Sequence, residues 1–211
     1  MPDNDSSAVS VLTPRAQRTR AALLTSARTH FERDGFHSAR ITDIADGAGV
    51  AHGTFYTYFD SKEEIFLALV DDLIAELFHE NEEPRPARPQ PGLDPIERVA
   101  RTNREYLTVY RDNGRLIAIW EELAARHEGA KARLDLGLQR FVERSEHQIA
   151  RLQAQGRADR ELDPHYAARA LTGMVWRFAY MWFSQGIDYD FEKAVANLTR
   201  LWANALRLDQ P

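Results

Sequence analysis

Residues 41–66, ITDIADGAGVAHGTFYTYFDSKEEIF, crowd four aromatics behind a glycine-rich turn. On a helix, Phe55 and Phe59 lie four apart and share one face, which leaves His52, Gly53, Thr54, Tyr56 and Tyr58 on the other. A short helix cannot bury rings on every side, so the tyrosines need an outside partner. Against a nucleic-acid backbone their hydroxyls can donate to phosphate oxygens and their rings can pack on sugars or thymine methyls, while Thr54 and His52 reach base edges. Lys62 adds a cation at the start of the next helix, where backbone amides also favour a phosphate. Positioning that face takes several elements. A helix over 41–48 must turn sharply at Gly49, with Ala45 and Val50 small enough to pin it to its successor, which is the pattern of a helix-turn-helix. Before it, the periodicity predicts a helix over 14–34, with Leu23, Leu24, Ala27 and Phe31 on one face, ending at a left-handed Gly35. After it, DSKE predicts a capping box of Asp60 and Glu63 opening a helix whose inner face is Ile65, Phe66, Leu69, Val70, Leu73 and Leu77.

The chain has 211 residues, 44 % hydrophobic and 28 % charged, enough for one or two domains with a buried core. It has no cysteine, which excludes disulfides, thiolate metal sites and a cysteine nucleophile and fits a cytoplasmic location. The start, MPDNDSSAVSVLTPR, is acidic and serine-rich, so residues 1–13 read as a disordered tail and not as a signal peptide. No apolar run is long enough for a membrane span, since MVWRFAYMWF is short and carries Arg177. The net charge is −5, yet residues 13–62 hold seven bases (Arg15, Arg18, Arg20, Arg28, Arg33, Arg40, Lys62) against five acids (Glu32, Asp34, Asp43, Asp46, Asp60). The basic excess therefore sits at the end that carries the aromatic face.

Helical periodicity runs through almost the whole chain and strand-like alternation is absent, which predicts an all-α protein of about nine helices. The division expected is a helix-turn-helix domain over 14–60, a connecting helix over 61–80, a proline-rich linker over 81–94 that holds four of the nine prolines with a fifth, Pro95, directly after it, and a larger helical domain over 95–211. Five helices are expected in that second domain. One carries Ile96, Val99, Asn103, Tyr106 and Tyr110; a separate shorter one carries Leu116, Ile119, Trp120 and Leu123; a long third one breaks at Gly156. The fourth opens with a capping Asp163 and Pro164, and the last runs along Phe191, Val195, Leu198, Trp202 and Leu206. The fourth is apolar nearly all round, with Met174, Phe178 and Trp182 in one stripe and Trp176 and Tyr180 in another, so it needs two partners. A second subunit meeting Met174, Phe178, Trp182, Leu198 and Trp202 would supply one of them. Asn103, Tyr106, Tyr110, Trp120, Phe141, Trp176 and Tyr180 are placed to line a cavity for a flat or lipid-like molecule.

Other chemistry is poorly represented. GAGVAHG misses the dinucleotide-binding spacing and follows no strand. The seven histidines, His79 among them, make no metal-ligand spacing, and no serine sits in a nucleophile elbow. Glu121, Glu122, His127 and Glu128 read as a solvated helix end. No cofactor or metal site is expected.

The stretch over 41–66, with LLTSARTHFERDGF before it, resembles the DNA-binding signature of the TetR family of one-component transcriptional regulators, over about residues 15–77. The resemblance implies a homodimer whose second domain binds a small-molecule effector and whose heads bind a palindromic, double-stranded operator. The family's DNA-contacting positions fall here on Arg40, Thr42, His52, Gly53, Thr54, Tyr56, Tyr58 and Lys62. Two positions depart from the pattern: Ala51 stands where the family has a hydroxyl residue, and Ala39 with Arg40 where it has a threonine pair. Each lost side-chain cap costs about 1 kcal/mol of helix stability. The competing readings are a dimeric helical binding protein and an all-α enzyme, neither with a DNA-binding role.

Overall fold

A computed structural model describes residues 13–77 and 94–208. The tail over 1–13, Thr13 excepted, and the linker over 81–94, Asp94 excepted, lie outside the described residues. The described residues form eight α-helices and one π-helical turn: α1 (Pro14–Ser38), α2 (Ile41–Gly47), α3 (His52–Phe55), α4 (Lys62–Leu77), α5 (Pro95–Ala124), α6 (Glu128–Ala154), α7 (Pro164–Ala179), the π turn Tyr180–Ser184, and α8 (Phe191–Leu206). The chain divides into two compact units with the boundary after Leu69, inside α4. Among the described residues no helix is long and apolar enough to cross a membrane.

In the first unit, α1 starts on a Thr13 side chain that accepts from the Ala16 amide at 3.3 Å. Its regular path breaks at Gly35, whose φ of 79° and ψ of 165° lie in a region open almost only to glycine, before a further turn reaches Ser38. The expected left-handed cap is thus replaced by an extended kink, and that kink folds Phe36 back under Phe31 with ring centroids 5.6 Å apart. Phe66 of α4 meets both rings edge-on at 5.3 Å. Ser26 of α1 donates to the Ile44 carbonyl of α2 at 2.8 Å, and a Cβ on Gly47 would stand 2.5 Å from that Ser26 oxygen. Close approach of α2 to α1 therefore requires the glycine. The cap of α4 is shifted by one residue from the expected Asp60 and Glu63: the Ser61 hydroxyl accepts from the Glu64 amide at 3.1 Å and the Glu64 carboxylate accepts from the Asp60 amide. Serine's shorter side chain reaches the third amide of the helix, so the box forms around it.

The second unit is a bundle centred on α5, which packs on α6, α7 and α8. Two helices were expected over α5, one through Tyr110 and a shorter one from Leu116, but it runs unbroken for 30 residues. The reason is local: Asn113 donates its amide back to the Val109 carbonyl at 2.8 Å, and Gly114 makes room for Phe183, which would lie 3.4 Å from an added Cβ. The low helix propensity of both residues is offset by these contacts. Asn103 of α5 donates to Thr199 of α8 at 3.2 Å in a buried pair. Asp94, Asp163 and Asp190 cap α5, α7 and α8 through their side chains, and Pro95 and Pro164 occupy first-turn positions.

Candidate nucleic-acid interface and internal cavity

In the first unit, α2 ends at Gly47 with Ala48 as its C-cap, and the chain reverses through Gly49, whose φ is +69°. The Val50 amide donates to the Ala45 carbonyl at 3.1 Å, closing the turn onto α2. The helix that follows spans only His52–Phe55, and 3₁₀-like bonds from Thr57 to Thr54 and from Tyr58 to Phe55 extend it by a turn. Phe55 is fully buried and Phe59 nearly so, while Tyr56 is 49 % exposed. His52 and Gly53 are also exposed, and Thr54 and Tyr58 are partly so. The His52 ring meets Tyr56 edge-on at 5.4 Å, which holds the two outward rings in one orientation. Neither Arg40 nor Ala51, the residues at the starts of α2 and α3, makes a side-chain cap, in keeping with their departures from the family pattern. Arg40 and Thr42 are exposed at the front of α2.

Lys62 has a role that the spacing did not reveal. Its ammonium donates to the His37 carbonyl at 3.1 Å and the Ala39 carbonyl at 3.0 Å, and it sits 4.8 Å above the Phe36 ring. The cation thus satisfies carbonyls at the end of α1, where the helix dipole favours it. The structure also adds residues to the face. A concavity of about 400 Å³ is lined by Thr13, Arg15, Ala16 and Thr19 of the α1 start together with Val50, Ala51, Thr54 and Tyr58. The basic run that opens α1 was the available signal, but its distance in sequence from Thr54 hid the juxtaposition.

In the second unit, four of the seven expected cavity residues come together. Tyr106, Tyr110, Trp120 and Trp176, with Leu77, Ile117, Glu121, Leu134, Gly137 and Leu138, line a cavity of about 20 Å³. The other three are outside that lining: Asn103 bonds Thr199, Phe141 stacks on Tyr106 at 5.5 Å, and Tyr180 lies beneath the Arg177 guanidinium at 4.8 Å. Trp120 donates its indole N–H to the Ala130 carbonyl at 3.0 Å, so its polar end is anchored to α6. Glu121 corrects the expectation of a solvated helix end. Its Oε1 accepts from the Tyr110 hydroxyl at 3.3 Å, and its Oε2 is shut off from solvent with no hydrogen-bond partner among the described residues. Burial pushes the carboxyl up to about 7, against the pull of the Tyr110 hydroxyl, the Trp176 indole and the more distant Arg177 charge. Burial likewise raises the Tyr106 and Tyr110 hydroxyls above the ordinary tyrosine range. Among the described residues no group of three or more histidines or carboxylates could hold a metal ion.

The expected subunit residues divide. Leu198, Trp202 and Trp182 are buried within the chain itself, while Met174 and Phe178 are half-buried. Phe178 stacks on Tyr189 at 4.8 Å and Trp182 on Phe183 at 4.4 Å, so these rings form a partly exposed cluster within the chain at the end of α7 and the π turn.

Comparison with known proteins decides the assignment. A family model described as bacterial regulatory proteins, tetR family, matches residues 23–69, and one described as Tetracyclin repressor-like, C-terminal domain, matches residues 92–203, more than half of the chain. The chain belongs to the TetR family of transcriptional regulators. Members are regulators and not enzymes. Among its relatives is the HTH-type transcriptional regulator EthR of Mycolicibacterium smegmatis, 37 % identical over 92 residues, which is 38 % of this chain and 42 % of EthR. The HTH-type transcriptional regulator TtgR of Pseudomonas putida is 40 % identical over 58 residues, 28 % of each chain. The chain thus matches less than half the length of these curated relatives. A solved transcriptional regulator of Saccharomonospora viridis in complex with choline superposes with a TM-score of 0.76 over 92 % of this chain and 100 % of that one, at 18 % identity. The fatty acid degradation regulator FadR of Bacillus halodurans does so with a TM-score of 0.73 over 94 % and 100 %, at 19 % identity. At such identities the likeness of this TetR-family chain to them is one of fold.

Proposed function

We propose that this TetR-family regulator is a repressor that binds a palindromic operator as a homodimer and is released by a small molecule with a flat or lipid-like apolar body. The observation that carries the DNA-binding part is the split of α3 and its following turn. Phe55 and Phe59 face the core, and His52, Gly53, Thr54, Tyr56 and Tyr58 are left on the outer side beside the α1 concavity with Arg15 and Thr19. In this reading Tyr56, Tyr58, Arg15, Arg40 and Thr42 position the head on phosphates, and His52 and Thr54 read bases, with Gly53 admitting the backbone to the groove. Lys62 contributes charge while it holds the end of α1. Two heads in a dimer would enter successive major grooves about 34 Å apart.

The effector part is supported by the ring-lined cavity of the second unit and by family neighbours of the same fold whose structures hold choline or stearoyl-CoA. Release requires that the effector bind the non-DNA-binding arrangement more tightly. Helix α4, which contains the boundary between the units, is the covalent route for that coupling. Sequencing of genomic fragments retained by the purified protein, followed by footprinting, tests the reading. A protected inverted repeat is expected, and retention of random fragments alone would refute an operator.

A further inference from the structure

Among the described residues Glu121 is the one ionisable side chain in the cavity wall besides Tyr106 and Tyr110, and it is poorly matched to its surroundings. A carboxylate oxygen shut off from water without a donor is costly, and glutamine or leucine would fill the same space at less expense. The Tyr110 hydroxyl bond is long at 3.3 Å and reaches only Oε1, and the Trp176 indole, though near enough to favour the charge, makes no hydrogen bond of good geometry to Oε2. Arg177 does not neutralise it at contact, because its guanidinium is held over the Tyr180 ring at 4.8 Å. Tyr106, Tyr110, Trp120 and Trp176 line the same cavity, and the faces of such rings attract a cation. A wall of rings with one unmatched negative atom is complementary to a soft positive charge.

Resting on the effector reading above, we propose that this cavity takes an organic ammonium ion, with Glu121 as its counter-charge and the tyrosine and tryptophan rings as its cage. The volume of about 20 Å³ admits roughly one water molecule, so the ligand enters by displacing side chains. Gly137 leaves the α6 wall without a side chain, and Trp176 is only half-buried, so its ring is the movable part. That movement on α7 is what a ligand-dependent shift would need. Among the described residues the ionisable or charged groups that face Glu121 are Tyr106 and Tyr110 from α5 and Arg177 from α7; α4 and α6 present Leu77, Leu134 and Leu138. Titration below pH 7 therefore falls on Glu121, and protonation removes the counter-charge.

Tryptophan fluorescence of the full-length protein tests this with phenyltrimethylammonium and its uncharged isostere tert-butylbenzene. The cation is expected to bind at least about tenfold more tightly at pH 8, with the preference reduced severalfold at pH 6. Glu121→Gln should bring the two ligands within about threefold of each other. The wild-type comparison and its pH dependence stand even if that variant misfolds by circular dichroism. Equal binding of the isostere, or no binding of either, overturns the proposal and leaves Oε2 to an internal water. DNA release is measured on the same preparations. Cation binding without any DNA binding would sink the repressor reading and keep the cation site, whereas operator binding with no cation preference would sink the site alone.

Discussion

Tyr56 shows how a single side chain separates packing from function. Its ring edge rests on Phe55 at 5.4 Å, yet about half of the residue faces solvent, where a large aromatic gains little from burial. Tyr56→Phe removes only the hydroxyl, so stability should stay within about 0.5 kcal/mol and DNA affinity should fall about tenfold on every sequence, with the salt dependence unchanged because no charge is lost. His52→Ala or Thr54→Ala should instead alter which base is preferred, by about 1–3 kcal/mol at one position. Selection from a random-sequence pool distinguishes the two, and unaltered affinity and preference in all three would reject this face. Lys62 is a mixed case: Lys62→Met keeps the stem over Phe36 but drops the charge that serves His37 and Ala39, so melting temperature and DNA affinity should fall together. Glu121 gives a prediction in pH. Its folded carboxyl sits near 7, above the ordinary value, so the neutral form is the stable one; the stability it contributes is whole at low pH and is lost as pH rises through about 7. Glu121→Gln should therefore melt close to wild type at pH 5 and above it at pH 8. A gap that stays constant across that range would show that the carboxyl does not titrate there. The outward set on α3 was legible because period and ring type agree, whereas Glu121 was not: in sequence it is one of a run of surface-like charges, and only the meeting of α5, α6 and α7 encloses it.

At the scale of elements, the turn between α2 and α3 depends on Gly49. Nothing lies within 4 Å of where its Cβ would be, so substitution meets no clash and the whole penalty is the positive φ. Gly49→Ala should cost about 1–2 kcal/mol and Gly49→Asn less, read as shifts in the denaturation midpoint. Equal penalties would mean that the turn had rearranged. Ser61→Ala, which removes the cap of α4, should cost about 1 kcal/mol, and Glu63→Ala almost nothing, the reverse of what the DSKE spacing predicts. Helix starts at Pro14, Pro95 and Pro164 were readable because threonine or aspartate followed by proline fixes both dihedral and cap. The interior of α5 was not. Asn113 and Gly114 carry a breaker's local propensity, and the contacts that override it, to Val109 and Phe183, include one about seventy residues distant in sequence. The π turn at Tyr180–Ser184 was equally hidden, since its residues continue an apolar helical pattern without interruption.

For the whole molecule, the proposed homodimer must be reconsidered from what α7 and α8 leave outside. The chain buries Leu198 and Trp202 itself, at 3 % and 8 % exposure, so the surplus apolar surface expected of them is already used. The exposed residues of α8 include Asn197, Leu201, Asn204 and Ala205, flanked by Glu192, Lys193, Ala196 and Arg200, and those of α7 include Tyr166 and Ala170, flanked by His165, Arg169 and Arg177, with Leu201 at 51 % exposure and Tyr166 at 76 %. Asn197, Leu201, Asn204 and Ala205 share one face of α8 at three- and four-residue spacing, and Tyr166 and Ala170 lie four apart on α7, so each helix presents a stripe with small residues beside one large apolar side chain. One exposed leucine needs no explanation, but two such stripes on consecutive helices suit a self-complementary contact, in which each meets its symmetry mate. The two locations make opposite predictions for single charges. Trp202→Asp places an unpaired carboxylate in the core of the protomer and should unfold it, with several kcal/mol lost and no folded monomer to observe. Leu201→Glu alters only the outer face, so the protomer should keep its helical signal and, repeated across a two-fold axis, the charges should separate the subunits. Operator affinity should then fall by about two orders of magnitude or more, because a lone head loses the effective concentration supplied by its tethered twin. Sedimentation velocity with circular dichroism on both variants decides the matter: if Leu201→Glu and Tyr166→Glu remain dimers with unchanged operator affinity, the subunit contact lies elsewhere on the second unit.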